Sequence, residues 1–468
     1  MSKQQPELLN RIEIYLKKEG LLAFGDHIVI AVSGGPDSMT LLDLLSHLSK
    51  TWQLTLHIAH LDHQLRATSQ SDANFVRKIA KKYGYPVHIH TENVNQRAKS
   101  QKQSIEEAAR YARREFLDTV RQETSAHRIA LGHTKSDQAE TVLLRLIRGS
   151  GLTGLGGIRP ISDKKWIRPL LSFSRSEIEA YVKDNSLEVR LDETNADPTF
   201  LRNRIRKDLI PSLRDQYNPQ IEDVLARAST LLQDDDAHLE IIAQQAFSET
   251  LLYSDKRKII LDVTRFFGYH ISLRRRLIRI ALFALCAKPK TTGFRAIERV
   301  LHIASDPGRR VQVEPEISAH RTNEALIITR PAQPYHISIE PNAKIDINGT
   351  FSTDLLNTVD HQDLQHTTDN TAFFDLDQLP SQKLYLRSPQ PGDTFQPFGM
   401  QGNKKVSRLL GDYKIPRPIR EEIPLLVSGT TILWVVGFRR AQIAPVTSMT
   451  QHVLKATFDS SLQSIINI

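Results

Sequence analysis

The sequence is short of sulfur and of long apolar stretches. A single cysteine, Cys286, stands in 468 residues, which excludes a disulfide framework and any site built from several thiolates. The compartment this implies is reducing, and the expected location is the cytoplasm. No apolar run approaches the roughly 20 residues that span a bilayer. The opening Met1-Ser2-Lys3-Gln4-Gln5-Pro6 has no apolar signal segment, so no membrane partner is expected. Internal repeats and low-complexity tracts are missing too. What is present in excess is positive charge, a formal +9 from 62 Lys and Arg against 53 Asp and Glu. Such a surplus favours polyanionic partners through counterion release. The length exceeds one ordinary core and suggests roughly two to four domains.

Residues 1–216 alternate between apolar β-branched runs and helical patterns. Ile28–Ala31, Leu54–Ala59, Val87–His90 and His127–Gly132 read as strands, with helices over Ser71–Tyr83, Ser104–Arg121 and Ser136–Arg148. This pattern predicts an α/β domain with a doubly wound parallel sheet and ligands at the C-terminal strand ends. A mainly helical domain is expected over 217–330, including a helix over Ile271–Ala287 whose first half carries Arg274, Arg275, Arg276 and Arg279. A small mixed α/β or β-rich domain is expected over 331–468, marked by His336–Ile339 and the Asn348-Gly349 turn.

The chemistry concentrates after the first strand, in Ser33-Gly34-Gly35-Pro36-Asp37-Ser38. A glycine-rich strand-to-helix turn gathers backbone N–H groups at a positive helix end and so makes an anion site. A Walker loop would need a Lys after its last Gly, and this one has none. Hydroxyls at Ser33 and Ser38 and a carboxylate at Asp37 suit a pyrophosphate cradle beside a metal ion. The stretch resembles the PP-loop of the N-type ATP pyrophosphatases.

Further polar blocks fall where the same sheet edge should be. His60–Arg66 follows the second strand and reads either as a ligand-contacting segment or as a plain polar loop. Arg110 and Arg113 share one helix face, as a phosphate clamp or as salt-bridge partners of Glu106 and Glu107. Gly132–Thr141 enters a helix with Ser136 as a candidate N-cap, Asp137 in the first turn and Glu140 three residues on. These acids suit Mg²⁺ or a cationic amine, and they also suit a helix dipole. Arg148–Gly157 reads as a mobile lid, a nucleic-acid-facing loop or a simple connector. Phe200–Lys207 is a dense basic cluster opening a helix that should end before Pro211, with phosphate contact as the favoured use.

Taken in order, these blocks resemble the tRNA(Ile)-lysidine synthetases. The likeness also takes in Arg168-Pro169-Leu170-Leu171, Asn195–Arg206, Pro391–Phe395 and Lys404-Lys405. The family usually carries G-H-H-x-D-D-Q-A-E-T, where this chain has Thr134 and Ser136 for the second His and the first Asp. Gln64 and Thr194 replace a common Gly and Ser. The resemblance implies a carbon–nitrogen ligase using ATP and Mg²⁺. Its substrates would be free L-lysine and an isoleucine tRNA with a CAU anticodon, and no obligate protein partner is implied. ATP would lie on Ser33, Gly34, Gly35, Pro36, Asp37 and Ser38, with Ala31 and His60 alongside. Asp37 and Asp137 would hold the metal, and Asp37, Asp137 and Arg113 would be catalytic. Arg110, Arg113, His133, Glu140, Arg202, Asn203, Arg206, Lys404 and Lys405 would contact substrate, Glu140 through the α-ammonium of lysine. Arg274–Arg279 and Arg408 would join the grip on tRNA.

Within the enzyme class the rivals are a PP-loop thiolase or an amidotransferase. The first generally needs cysteines near the site and the second a nucleophile such as an N-terminal Cys, and Cys286 supplies neither. A nucleotide-sensing RNA-binding module without turnover is the alternative from another class, and intact Asp37 and Asp137 speak against it.

Overall fold

The structure, a computed structural model, describes residues 5–64, 69–190, 201–286, 293–347, 349–356 and 369–459. Arg66, Thr194, Asn195, Phe200 and Asn348, all singled out above, lie outside the described residues. The chain divides into two compact units, Met1–His238 and Leu239–Ile468.

The first unit is built on six strands: β1 (His27–Ala31), β2 (Thr55–Asp62), β3 (Val87–Thr91), β4 (Arg128–Ala130), β5 (Ile161–Ser162) and β6 (Trp166–Ile167). They run in the order β3-β2-β1-β4-β6-β5, and every pairing but β5–β6 is parallel. Helices are α1 (Gln5–Lys18), α2 (Pro36–Trp52), α3 (Ser69–Tyr83), α4 (Val94–Gln101), α5 (Ile105–Glu123) and α6 (Lys135–Ile147). The alternation along β1 shows why helices cover both faces. Ile28 and Ile30 pack into one cluster with Leu41, Leu44 and Leu45 of α2, while Val29 packs into another with Leu117 and Val120 of α5. A strand buried on both sides must be apolar throughout, as Ile28-Val29-Ile30 is. The order of connections reverses between β1 and β4, and that switch point is where a doubly wound sheet opens a crevice for ligands.

Two local expectations change. Thr134, not Ser136, caps α6: its hydroxyl accepts from the Asp137 N–H, and Asp137 at N3 completes a capping box. Ser136 lies inside the helix and donates to Glu222 at 2.7 Å. The basic helix also does not stop before Pro211. A helical turn over Leu201–Arg204 widens to a π-helical turn over Ile205–Leu209, and helix Ile210–Gln216 continues with Pro211 in its first turn. A proline there forgoes an N–H that a helix start leaves unbonded anyway.

The second unit holds, besides helices Ile271–Leu285 and Phe294–Ala304, sheets that helical periodicity had hidden. Strands β7 (Leu251–Ser254), β8 (Lys258–Asp262), β9 (Arg310–Glu314), β10 (Ile317–Arg321) and β11 (Ala325–Thr329) form an antiparallel sheet in the order β7-β8-β11-β10-β9. Further along lie a five-stranded and a four-stranded sheet around a core that includes Phe351, Phe374 and Trp434. Lys344–Asp346 and Thr350–Leu356 pair as the hairpin that Asn348-Gly349 signalled. No helix among the described residues is long and apolar enough to cross a membrane.

Lys258 and Glu422 form a buried ion pair in this unit, 2.7 Å apart and 1% and 4% exposed. Removing one partner strands the other charge in a dry interior, whereas removing both does not. Lys258→Met is expected to destabilise the second unit by about 3 kcal/mol, and Lys258→Met with Glu422→Leu to recover most of that loss. Thermal melts of the three proteins, read against the double-mutant cycle, check it.

Candidate active site

The glycine loop continues β1 directly. Val32 donates to Ala59 at 2.9 Å, extending the pairing of β1 with β2 past Ala31. Gly34 then takes φ +91°, and a Cβ there would sit 3.2 Å from the Phe75 ring, so conformation and space both require glycine. Gly35 caps α2 and Pro36 opens it. The N–H groups of Ser33 and Gly34 both donate to the Ser38 hydroxyl, each at 3.2 Å. The loop thus aims several donors at one oxygen, the geometry of a nest for an anion. His60 is 7% exposed and its Nδ1–H donates to the Val32 carbonyl at 2.8 Å, which makes it a brace beneath the loop.

The loop after β4 crosses this cradle closely. A Cβ on Gly132 would lie 3.2 Å from the Asp37 carbonyl carbon and 3.3 Å from the Ser38 nitrogen. Only a glycine lets the two loops meet, and their meeting brings Asp37 within electrostatic reach of Asp137. Asp137 accepts from the Thr134 N–H at 2.9 Å and from Arg202 at 2.7 Å, with Arg206 at 3.5 Å. Glu140 is 1% exposed, and both of its oxygens are occupied: Arg202 donates at 2.8 Å, and Arg206 donates through Nε and, at 3.0 Å, through its terminal nitrogen. A ligand ammonium cannot reach Glu140 without displacing them. The expected lysine contact is therefore replaced by a positioning role, in which Glu140 holds two arginines. Asn203 follows Arg202 in the turn Leu201–Arg204.

Electrostatics separate the two aspartates. Burial first, and the Asp137 charge second, raise the Asp37 pKa to about 6. Asp37 makes no side-chain hydrogen bond or ion pair among the described residues. For Asp137 burial also acts upward, but Arg202, His133, the Thr134 N–H and Arg206 outweigh it and keep the carboxyl below its ordinary value. No cluster of three or more His, Cys, Asp or Glu among the described residues could enclose a metal. Mg²⁺ needs none when one or two carboxylates work with substrate phosphates and water. Asp37, open and repelled by a neighbouring carboxylate, fits such a cation.

Arginine charges converge around His133. Arg113 feels Arg110 and Arg202, and burial among protein atoms followed by that repulsion lowers its pKa although its outer surface meets solvent. Burial and then Arg110 do the same to Arg145. Arg168 falls to about 10 through burial, with Arg114 and Arg110 adding to it. His133 drops to about 3 through burial and the charges of Arg113, Arg168 and Arg202, which overcome Asp137. His63 drops to about 4 through burial, Arg113 and His60. Both imidazoles are neutral at physiological pH, and each keeps a buried Nδ1 without a partner. Glu107 serves the capping box of α5, and neither Arg110 nor Arg113 pairs with Glu106 or Glu107 among the described residues.

Several expected contributors lie elsewhere or do other work. The glycine stretch is pinned, not a mobile lid. Gly156 accepts from Ser229 at 2.7 Å, Gln138 bonds both ways with Ile158, and Arg145 donates to Gly154 and Gly157. In the second unit the α-helical arginines turn to protein partners. Arg274 caps carbonyls of Phe267 and Tyr269, Arg275 pairs with Glu298, and Arg276 and Arg279 share Glu240. Lys404 pairs with Asp412 at 2.7 Å, and Asp393 of the Pro391–Phe395 stretch is held bidentately by Arg387. Lys405 remains exposed.

Sequence reasoning passed over Arg168 and Arg190 as site residues. Arg168 follows β6 at the same sheet edge, a signal that was readable. Arg190 donates its N–H to Gly34 at 2.8 Å and lays its guanidinium over Phe75 at 5.4 Å; nothing local marks it.

A parallel sheet with a lysine-free glycine cradle at its switch point and an acid pair beside it defines a PP-loop nucleotide-binding domain. Residues 8–213 match the PP-loop domain family, and residues 384–455 match the TilS substrate C-terminal domain. The tRNA(Ile)-lysidine synthase of Geobacter sulfurreducens is 35% identical, over 94% of this chain and 95% of the relative. That of Symbiobacterium thermophilum is 35% identical over 92% and 94%, and that of Caldanaerobacter subterraneus 31% identical over 97% and 98%. The chain belongs to the tRNA(Ile)-lysidine synthase family.

The raised pKa of Asp37 fixes the sign of a stability effect. The unfolded carboxyl ionises near its ordinary value and the folded one near 6, so the folded state binds the extra proton between these values and loses stability as pH rises through them. The penalty is complete above about pH 6 and absent below about pH 4. Asp37→Asn is expected to stabilise the ligand-free protein by about 1–2 kcal/mol at pH 7.5, with the gain vanishing towards pH 4. Thermal melts across that range test it, and a destabilised variant at pH 7.5 would contradict it.

Proposed function

We propose that the protein is an ATP-dependent ligase that joins the ε-amine of free lysine to C2 of the wobble cytidine in an isoleucine tRNA with a CAU anticodon. The product nucleoside, lysidine, changes codon reading from AUG to AUA, and the work is done in the cytoplasm without an obligate protein partner. The observation that carries this reading is the make-up of the site: an anion cradle with Asp37 and Asp137 within electrostatic reach of each other, and Arg110, Arg113 and Arg168 without acidic partners among the described residues, near two neutral histidines.

The chemistry proceeds in two displacements. The C2 carbonyl oxygen of cytidine attacks the α-phosphorus of ATP, the α–β anhydride breaks and pyrophosphate leaves. The lysine amine then attacks C2, the C2–O bond breaks, and AMP departs with that oxygen. Adenylation is needed because a ring carbonyl oxygen is otherwise a poor leaving group. Ser33–Ser38 would cradle the pyrophosphate, and Asp37 with Asp137 beside it would hold Mg²⁺, which neutralises phosphate charge when bound. Arg113 and Arg110 face the developing charge on the transferred phosphate.

Lysine must lose a proton before it attacks, and its amine has a reference pKa near 10.4. Burial, with the charges of Arg113, Arg168 and Arg202, pushes His133 to about 3, and both act on an ammonium there in the same direction. Asp137, held ionised by Arg202, orients that amine and accepts its proton. Arg202 and Arg206, set by Glu140, and Asn203 next to Arg202 complete the substrate side, and the exposed Lys405 adds a tRNA phosphate contact.

Incubating the protein with isoleucine tRNA, ATP and labelled lysine, then analysing nucleosides, is the direct test, with labelled lysidine as the expected product. Asp37→Ala should cut pyrophosphate release by roughly 100-fold or more while the protein stays folded. Asp137→Asn should slow lysine transfer by roughly 10- to 100-fold and leave tRNA affinity unchanged. Pyrophosphate release that needs neither lysine nor tRNA would sink the reading.

A further inference from the structure

Several cations of the second unit that lack acidic partners among the described residues collect in one place. A cavity of about 440 Å³ opens between the β9–β10 hairpin and residues 414–420. Arg310, Arg321, Lys414, Arg417 and Arg420 line it with His320, and no carboxylate does. None of these five cations forms an ion pair among the described residues.

The wall is built rather than incidental. Arg321 is 7% exposed and fixed by a 2.9 Å bond from Nε to the Ala304 carbonyl, yet one terminal nitrogen is buried with no acceptor. His320 likewise has a buried Nδ1 without a partner. Arg420 is oriented by the carbonyls of Ile415 at 2.7 Å and Ser407 at 3.2 Å. Buried donors are almost always satisfied, and like charges packed without counterions repel. Both deficits are relieved by one dense anion.

We propose that this cavity is a binding site for a phosphate monoester. Guanidinium forks match phosphate oxygens bidentately, and arginine supplies four of the five cations here. A terminal phosphate presents three non-bridging oxygens to these donors, whereas a mid-strand diester presents two. The site lies in the second unit, apart from the glycine cradle of the first, and does not rest on the lysidine reading.

Two sources carry this chemistry, a free nucleoside monophosphate and the 5′-terminal phosphate of an RNA. Hydrogen exchange of the full chain, read locally at residues 308–323 and 414–420, separates this site from the glycine cradle and needs no turnover. Inorganic phosphate up to about 10 mM should slow exchange in both segments relative to chloride at equal ionic strength. Protection by AMP, with 5′-phosphorylated and 5′-hydroxyl oligoribonucleotides behaving alike, supports the site and assigns the small molecule. Protection by the 5′-phosphorylated oligoribonucleotide alone supports it and assigns the RNA end.

Arg310→Gln with Arg417→Gln removes two exposed cations, and at least a tenfold weaker phosphate response is expected. Arg321→Met should weaken it further, and if that variant does not fold, the exposed pair still decides. No local protection by phosphate, or equal protection in the double variant, would overturn the proposal.

Discussion

Glu140 is a carboxylate with almost no access to water, and a charge so placed must be paired. Arg202 and Arg206 pair it, and because Arg202 also reaches Asp137, one buried charge fixes the mutual position of α6 and the helix that begins at Leu201. The remaining parts of the site follow from that bond. Asp137 is kept ionised, His133 is caught between it and the arginines, and the widened helical turn over Ile205–Leu209 presents Arg202 and Arg206 to the same face. Replacing such a network piecemeal costs more than its net worth, because every partial removal leaves a charge behind.

Backbone contact supplies the second constraint. Gly132 lets the β4 loop rest on the first turn of α2, and Gly34 lets the cradle turn under Phe75 and Arg190. A side chain at Gly132 would press on the backbone of Asp37 and Ser38, and one at Gly34 on Phe75. The nucleotide cradle and the carboxylate edge are therefore parts of one rigid surface at the switch point of the sheet.

Much of this surface was legible in the sequence. Ile28-Val29-Ile30 running into Ser33–Ser38 signals strand, turn and anion cradle together, because β-branching, glycine pairs and a helix-opening proline act locally. The Gly132–Thr141 stretch was legible for the same reason. The fate of the charges was not. Arg274–Arg279 and Lys404 form runs that read as nucleic-acid contacts, yet the fold supplies Glu240, Glu298 and Asp412 as partners. The cations around the second unit's cavity, Arg310, Arg321, Lys414, Arg417 and Arg420, are scattered over more than a hundred residues and make no run at all. Pairing is a tertiary property, and local charge density does not encode it. The sheet of β7–β11 was hidden similarly, since its short strands are separated by amphipathic helices whose period dominates the pattern.

The two aspartates show how one fold assigns different work to identical side chains. Asp37 and Asp137 sit close enough to repel, and what surrounds each decides the outcome. Asp37 lacks a cation at hydrogen-bonding distance among the described residues, and its pKa rises to about 6. Asp137 has Arg202 and the Thr134 N–H in contact, so its charge persists whether or not a ligand is present. Groups whose environments push their pKa values apart mark a division of labour. Here the division runs between a carboxylate left without a protein cation in contact and one that its arginine holds. Above about pH 6 both are ionised, so the edge they share is negative before any ligand arrives, and only at Asp37 does that charge stand without a cation at hydrogen-bonding distance among the described residues.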